Sequence, residues 1–254
     1  MFDLTGKVAL ITGSSRGIGK AIAEQMAIHG AKVVVSSRKA DACDRLTDAI
    51  NQMVKDGDGE AAAIPCNIAS KEELQNLVDR TIDRFGQIDI LVCNAAVNVY
   101  YGSISGISDE AFDKIMNCNV KSNHWLTQMA LPGMIERKDG VIIIVASIGA
   151  MRGSIVLGTY GMTKAADLAL VRNLAHEYGP MNIRANAIAP GLIRTDFSRA
   201  LWENEEFLKK RTADSPLRRI GEPEEVAGAA IFLASKAGAF TTGQTIVIDG
   251  GVTA

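Results

Sequence analysis

Tyr160 and Lys164 stand four residues apart in Tyr160-Gly161-Met162-Thr163-Lys164, and Ser147 lies thirteen residues before the tyrosine, just past the apolar run Val141 to Ala146. On a helix that spacing puts the phenol and the ammonium on one face. A fixed positive charge there favours the phenolate, which makes tyrosine a usable acid and base near neutral pH. Alone, the trio says little, because Tyr-x-x-x-Lys also arises on amphipathic helices as a solvated pair. The elements that would position it have to decide.

Those elements read as short β-branched runs with helical segments between them: Val8 to Ile11, Lys32 to Ser36, Ala62 to Pro65, Ile90 to Cys93, Val141 to Ala146, Arg184 to Ile188 and Thr245 to Ile248. Several are apolar at consecutive positions, as strands buried on both faces must be. With right-handed crossovers the expectation is an α/β chain of Rossmann type, a doubly wound, seven-stranded parallel sheet with helices on both faces. Ser70 with Glu73 forms a candidate capping box, and Pro223 stands where a first helical turn would begin. The 254 residues, 47% of them hydrophobic, suit one dinucleotide-binding and catalytic domain over residues 1–254, since no repeat or linker divides them. The long strand-free stretch 191–216 carries Phe197, Leu201, Trp202 and Phe207 on an apolar side and reads as a substrate lid.

Composition removes several function classes. The formal net charge of -2 leaves no basic footprint for nucleic acid and no polybasic segment for a membrane surface, so a small molecule is the expected partner. Cys43, Cys66, Cys93 and Cys118 form no Cys-x-x-Cys pair, and the segment Met1 to Gly6 has neither a charged leader nor a long apolar stretch, which reads as a reduced, cytoplasmic protein. His29, His124 and His176 are dispersed, so no metal site is expected.

Directly after the first strand comes Thr12-Gly13-Ser14-Ser15-Arg16-Gly17-Ile18-Gly19, opening into the helical pattern of Ala21, Ile22, Ala23, Met26 and Ala27. Glycines allow a tight turn and close backbone approach, and a helix N-terminus offers unpaired N–H groups to a pyrophosphate. Gly13, Ser15, Arg16, Gly17, Ile18 and Gly19 are therefore candidate cofactor contacts, with a purely structural turn as the alternative. The second strand ends in Ser36-Ser37-Arg38-Lys39, where an NAD site would place an acid for the ribose 2'-hydroxyl. No acid stands there. Arg38, backed by Ser37 and Arg16, could instead hold a 2'-phosphate, so NADP(H) is preferred and NAD(H) is the alternative.

With these pieces in place, the chain resembles the short-chain dehydrogenase/reductase family from Leu4 to Gly251. The resemblance rests on the Thr12 to Gly19 loop, Cys93-Asn94-Ala95-Ala96, Asn119 in Asn119-Val120-Lys121, Ser147, Tyr160 with Lys164, Pro190-Gly191 followed by Ile193 and Thr195, and Asp249-Gly250-Gly251. It implies that Tyr160 is the acid/base, with a phenol that must become more acidic, and that Ser147 hydrogen-bonds the same substrate oxygen. It further implies that Lys164 binds the nicotinamide ribose and that Asn119, through an irregular helix, holds a relay water. Asn94 and Ala95 would lie by the adenosine ribose, Asn67 and Ile68 by the adenine, and Pro190, Gly191, Ile193 and Thr195 by the nicotinamide end. Asn94 and Asn119 also read as buried amides that tie elements together.

The implied activity is an NADP(H)-dependent oxidoreductase, a carbonyl reductase acting on a ketone or secondary alcohol. A 3-oxoacyl reductase using acyl carrier protein or CoA is the alternative. Arg137 and Lys138 match one of the basic positions that would dock an acidic carrier beside the site, but Met181 replaces the other. A non-catalytic dinucleotide-binding regulator is the alternative of another class. Tyr100, Tyr101, Met151, Leu157, Phe197 and Trp202 are candidate pocket walls. The resemblance also implies a homotetramer, with Gly228, Ala229, Ala230, Phe232 and Ile246 to Ile248 compatible with one contact.

Overall fold

Strands that are apolar at every position can be buried only where helices cover both faces of the sheet. The computed structural model, which describes residues 1–213 and 215–254, has that arrangement. Its strands are β1 (Val8–Thr12), β2 (Lys32–Ser36), β3 (Glu60–Ala63), β4 (Ile90–Cys93), β5 (Gly140–Val145), β6 (Ile183–Pro190) and β7 (Thr245–Ile248). They form one seven-stranded sheet in the order β3-β2-β1-β4-β5-β6-β7, and every pairing is parallel. The third strand begins two residues before the expected Ala62, because Lys32 and Val33 of β2 align with Glu60 and Ala61.

Helices α1 (Gly17–Ile28), α2 (Ala40–Met53), α3 (Lys71–Phe85), α4 (Asp109–Met116), α5 (Ser122–Arg137) and α6 (Gly158–Tyr178) connect the first six strands. Beyond β6 come the short α7 (Arg199–Trp202), α8 (Glu205–Ala213) and then α9 (Pro223–Ala234), with α7 and α8 inside the stretch read as a lid. The Phe207 side chain, expected on that lid's apolar side, lies outside the described residues. Alternate strand residues serve opposite cores. Ala9, Ile11, Val33, Val35 and Ile143 pack with α1, α2 and α9, while Leu10, Val34, Leu91, Ile142 and Ile144 pack with α3, α5 and α6.

Local signals act as their chemistry directs, with one exception. Ser70 Oγ accepts the Glu73 N–H at 3.1 Å, but the reciprocal half of the box is absent, because the Glu73 carboxylate takes the Asn67 N–H at 2.8 Å instead. Pro223 occupies the first turn of α9, where its missing N–H costs nothing. Between α4 and α5 the chain makes a π-helical turn, Asn117–Lys121, with Asn119 at its centre. No helix among the described residues is long and apolar enough to cross a membrane.

Strand direction sorts the functional candidates. Ser147 follows the end of β5 and Pro190 closes β6, so both lie at the carboxyl edge of the sheet. Arg137, Lys138 and Met181 lie at the other edge, before those strands begin, where Asn182 Nδ2 donates to the Lys138 carbonyl at 2.9 Å. The expectation that they flank the site mouth therefore fails within one chain. Arg137 is occupied there by the Ile88 carbonyl at 2.7 Å, and Met181 packs against the core.

Candidate active site

In a parallel sheet whose order reverses between β1 and β4, a crevice opens at the carboxyl ends of those strands. Here it is a cleft of about 1310 Å³ that runs from the glycine loop to Tyr160. Its phosphate end is built by close backbone contact. Gly13 and Gly17 have φ of 64° and 58°, in the left-handed region that glycine tolerates. A Cβ on Gly19 would stand 2.4 Å from Asn94 Nδ2 and 2.5 Å from the Gly13 carbonyl oxygen, so only glycine fits. Arg16 precedes α1 without a side-chain cap, which leaves the first N–H groups of this twelve-residue helix for an anion.

Asn94 holds this loop to β4. Its Nδ2 donates to the Thr12 and Gly13 carbonyls at 2.9 and 3.0 Å, and Thr12 Oγ1 accepts the N–H groups of Asn94 and Ala95 at 3.1 and 3.2 Å. The tying role expected as one reading of Asn94 is thus present. Ser14 was missed by sequence reasoning. It is fully buried, donates to the Ile11 carbonyl at 2.7 Å and accepts the Ser36 N–H at 2.9 Å, which fixes the end of β2 beside the loop.

Charge decides what the cleft suits. Among the described residues its wall carries Arg16, Arg38, Lys39, Arg45, Lys114, Lys121, Arg152 and Lys164 against a single acid, Asp196. That acid pairs with Arg16 at 3.4 Å. A chain of net charge -2 has thus gathered a positive cleft, which fits a polyanionic dinucleotide. Ser37 and Arg38 line it where the acid of an NAD site would stand, so the residues present fit a 2'-phosphate. Ser15, Ile18, Asn67, Ile68, Ala95, Pro190, Gly191, Ile193 and Thr195 line it too. Asn67 Oδ1 already accepts the Ala69 N–H at 3.2 Å, and the Ile193 carbonyl accepts the Ser198 hydroxyl.

At the other end, Ser147, Tyr160 and Lys164 converge. Ser147 Oγ accepts the Gly149 N–H at 3.0 Å, and its hydroxyl draws the Tyr160 phenol slightly down. Lys164 is 1% exposed, and its Nζ lies 5.9 Å from the Tyr160 ring centroid. That ammonium donates to the Val145 carbonyl at 2.9 Å and to Asp167 Oδ2 at 3.0 Å. The expected acidification of Tyr160 is not found in the protein alone. Burial pushes the phenol above its ordinary value, the Lys164 charge pulls it down, and Asp167 pushes it up again.

Asn119 is buried in the π-helical turn, so the expected helix irregularity is present. Its side chain exchanges hydrogen bonds with the Val97 backbone at 2.8 and 2.9 Å and donates to Thr163 Oγ1 at 3.2 Å. Thr163 Oγ1 in turn donates to the Tyr160 carbonyl at 2.7 Å. Asn119 therefore reaches the tyrosine's helix through Thr163. The Asn119 main-chain carbonyl accepts Asn123 Nδ2 at 2.8 Å.

Of the expected pocket walls, Tyr101, Leu157 and Phe197 line the cleft, and the Phe197 ring lies 6.1 Å from that of Tyr160. Tyr100, Met151 and Trp202 are not among its lining residues. Tyr100 donates to the Ser103 carbonyl, Trp202 donates to the Thr195 carbonyl and faces the Arg194 guanidinium, and Met151 is exposed. Asn98 and Arg152 add polar groups that sequence reasoning missed.

Comparison with known proteins agrees with this geometry. A family model described as enoyl-(acyl carrier protein) reductase matches residues 13–253. Dehydrogenase/reductase SDR family member 4 of Bos taurus is 42% identical over 249 residues, 98% of this chain and 88% of the relative. A solved 7 alpha-hydroxysteroid dehydrogenase complexed with NADH and 7-oxo glycochenodeoxycholic acid is 39% identical, with a TM-score of 0.93 over 98% of this chain and 95% of its own. A gluconate 5-dehydrogenase from Burkholderia cenocepacia, in complex with NADP and tartrate, is 31% identical, with a TM-score of 0.93 over 99% and 97%.

The glycine loop yields a direct test. Gly19→Ala is expected to weaken dinucleotide binding at least tenfold, about 1.4 kcal/mol, because the new methyl displaces Asn94 and the Gly13 carbonyl. Titration of the protein's fluorescence with NADPH measures it, and an unchanged Kd would show that the loop does not shape the dinucleotide site.

Proposed function

Since this chain belongs to the short-chain dehydrogenase/reductase family, we propose that it is an NADP(H)-dependent oxidoreductase acting on a ketone or secondary alcohol, working as a carbonyl reductase. The observation that carries this reading is a single cleft that joins the glycine loop and Arg38 to Ser147, Tyr160 and Lys164. When bound, the nicotinamide supplies or accepts the hydride. Everything else is the work of the chain's own residues.

In reduction, Tyr160 gives its phenolic proton to the substrate oxygen as negative charge develops there. A phenol held above its ordinary value keeps that proton at neutral pH, which suits the acid role. Ser147 hydrogen-bonds the same oxygen, and the Lys164 ammonium stabilises the phenolate left behind. Lys164 also holds the nicotinamide ribose, and Asn119 supports the tyrosine's helix through Thr163. Gly13, Ser15, Gly17, Ile18 and Gly19 form the pyrophosphate cradle, Arg38 with Ser37 holds the 2'-phosphate, and Arg16 adds charge nearby. Asn67 and Ile68 flank the adenine, Asn94 and Ala95 the adenosine ribose, and Pro190, Gly191, Ile193 and Thr195 the nicotinamide end.

Leu157, Phe197 and Tyr101, with Asn98 and Arg152, favour a medium-sized, partly apolar substrate with polar groups of its own. A carrier-bound 3-oxoacyl substrate is less well supported, because the basic pair Arg137 and Lys138 lies at the opposite edge of the sheet. We read the location as cytoplasmic, on the strength of four buried, unpaired cysteines. The assembly we infer is a homotetramer, with the half-buried edge strand β7 and α9 offering one contact.

Four measurements decide between these readings. Arg38→Asp is expected to shift the ratio of kcat/KM for NADPH over NADH by roughly tenfold to a hundredfold towards NADH, the worth of a charge-assisted hydrogen bond to a phosphate; an unmoved ratio removes Arg38 from 2'-phosphate recognition. Tyr160→Phe is expected to lower turnover by roughly a hundredfold to ten-thousandfold while NADPH still binds. If a panel of ketones and alcohols gives no turnover even with the unaltered protein, the regulator reading stands instead. Sedimentation should find a tetramer, and a purely monomeric protein would contradict the assembly.

A further inference from the structure

A lysine with 1% of its surface exposed cannot stay charged on hydration, so its acceptors decide its state. One of them belongs to none of the motifs above. Asp167, one helical turn beyond Lys164 on α6, is itself 1% exposed and accepts the Lys164 ammonium through Oδ2 at 3.0 Å. Its other oxygen, Oδ1, accepts Asn123 Nδ2 at 2.9 Å. Asn123 is buried in the first turn of α5, and the same Nδ2 donates to the Asn119 carbonyl at 2.8 Å. A continuous chain of contacts thus runs Lys164, Asp167, Asn123, Asn119, from the tyrosine's helix to the π-helical turn.

We propose that Asp167 is a positioning residue for the active-site lysine: its buried carboxylate, oriented by Asn123, fixes the Lys164 ammonium beside Tyr160 and keeps it charged there. Both oxygens of Asp167 meet donors, the pattern of an ionised carboxylate, and Asn123 leaves it little freedom to turn away. Breaking such a desolvated pair on one side strands the other charge. The groups facing the pair from neighbouring elements do not substitute for it. Tyr160 lies on the same helix, Cys93 at the end of β4 is held as a neutral thiol by burial, and Tyr101, from the loop after β4, acts on Tyr160. Asn119, Thr163 and Ser147 are neutral.

The balance on Lys164 agrees with this geometry. Burial pushes the ammonium towards losing its proton, Asp167 opposes that most strongly by charge and adds a hydrogen bond, Tyr160 and Cys93 help by charge, and the net displacement is upward. An amide in place of Asp167 keeps an acceptor and removes the charge, so Lys164 would lose its proton at lower pH. Tyr160 would then lack the cation that stabilises its phenolate. Asp167 touches neither substrate nor cofactor and acts through Lys164 alone.

The inference rests on Tyr160 being the proton donor, and the test separates the two. Tyr160→Phe must first abolish turnover; if it does not, the parent reading fails and the pH profile of Asp167→Asn is not informative about it. With that established, the pH dependence of kcat for carbonyl reduction is compared between the unaltered protein and Asp167→Asn. The alkaline limb is expected to move to lower pH by about one unit, a tenfold change in proton activity. A limb that stays in place overturns the proposal, whatever stability is lost.

Unfolding by urea supplies a readout without turnover. A lysine whose folded-state value is raised gives stability that is full below its ordinary value of 10.5 and is lost only as pH climbs through the raised value. In Asp167→Asn the folded-state value falls relative to the unaltered protein, so the lost stability is full at neutral pH and fades as pH climbs through the two folded-state values. The stability gap between the two proteins should therefore narrow with rising pH, whereas a packing defect alone leaves it constant and argues against the proposal. Should Asp167→Asn not fold, Asn123→Ala loosens the same carboxylate, and its alkaline limb should move in the same direction by less; an unmoved limb there overturns the proposal equally.

Discussion

The ammonium of Lys164 is buried at the carboxyl edge of the sheet, and much of the site can be understood as what is needed to keep it there. A cation withdrawn from water costs several kcal/mol unless acceptors surround it. The end of β5 supplies the Val145 carbonyl and α6 supplies Asp167, so the ammonium is pinned between a strand and its own helix. That fixes the rotation of α6, and the rotation brings Tyr160 to Ser147. The carboxylate then makes a demand of its own, met by Asn123, which in turn engages the π-helical turn at Asn119. The helix irregularity, the phenol's environment and the strand end are thus linked through one buried charge.

The opposite end of the cleft is governed by backbone rather than charge burial. Gly13 and Gly19 let the loop after β1 fold against Ala95 and Asn94 at distances a side chain would forbid, and Gly17, with a left-handed φ of 58°, lies close to Thr195. The basic side chains around it are mostly not satisfied by partners of the same wall, since among the described residues the wall's one acid, Asp196, is taken by Arg16 and Arg199. An excess of positive charge in a chain that is slightly negative overall is an unfavourable self-arrangement unless a polyanion relieves it. The two ends therefore differ in kind: one is internally neutralised, the other awaits charge.

Which parts were legible in the sequence follows from where the information lies. Five strand positions could be read closely because Val, Ile and Leu recur at consecutive sites in β1, β2, β4, β5 and β7, whereas β6, with only Ile183 and Ile188 separated by Arg184, Ala185, Asn186 and Ala187, was read over 184–188 and extends further at both ends. The start of β3 could not, because Glu60-Ala61-Ala62-Ala63 has no strand signal of its own and becomes a strand by pairing with β2. Ser147, Tyr160, Lys164 and Asn119 were legible as ordered motifs. Asp167 was not, although the i,i+3 spacing was visible, because Lys-x-x-Asp on a helix ordinarily marks a solvated pair and only tertiary burial distinguishes this one. The same gap explains Tyr160: spacing showed the ammonium that lowers its phenol, but neither the burial nor the carboxylate that raise it. Tyr100 and Trp202 read as walls by residue type, yet their polar tips are turned to nearby carbonyls.

The stretch after β6 links the two ends of the cleft physically. Thr195 lies against Gly17 of the phosphate loop, Asp196 pairs with Arg16, and Phe197 sits beside the Tyr160 ring, so three consecutive residues touch both the dinucleotide end and the proton donor. The Arg16–Asp196 pair is exposed, with 69% and 44% of the side chains open to solvent, and such pairs contribute at most about 1 kcal/mol. Asp196 also pairs with Arg199 at 2.7 Å, Trp202 donates to the Thr195 carbonyl at 3.0 Å and Arg194 pairs with Glu222 at 3.0 Å, so several contacts besides Arg16 hold the segment whose Phe197 lies beside Tyr160. The two ends of the cleft are thus joined through three adjacent side chains, Thr195, Asp196 and Phe197, as well as through the body of the fold.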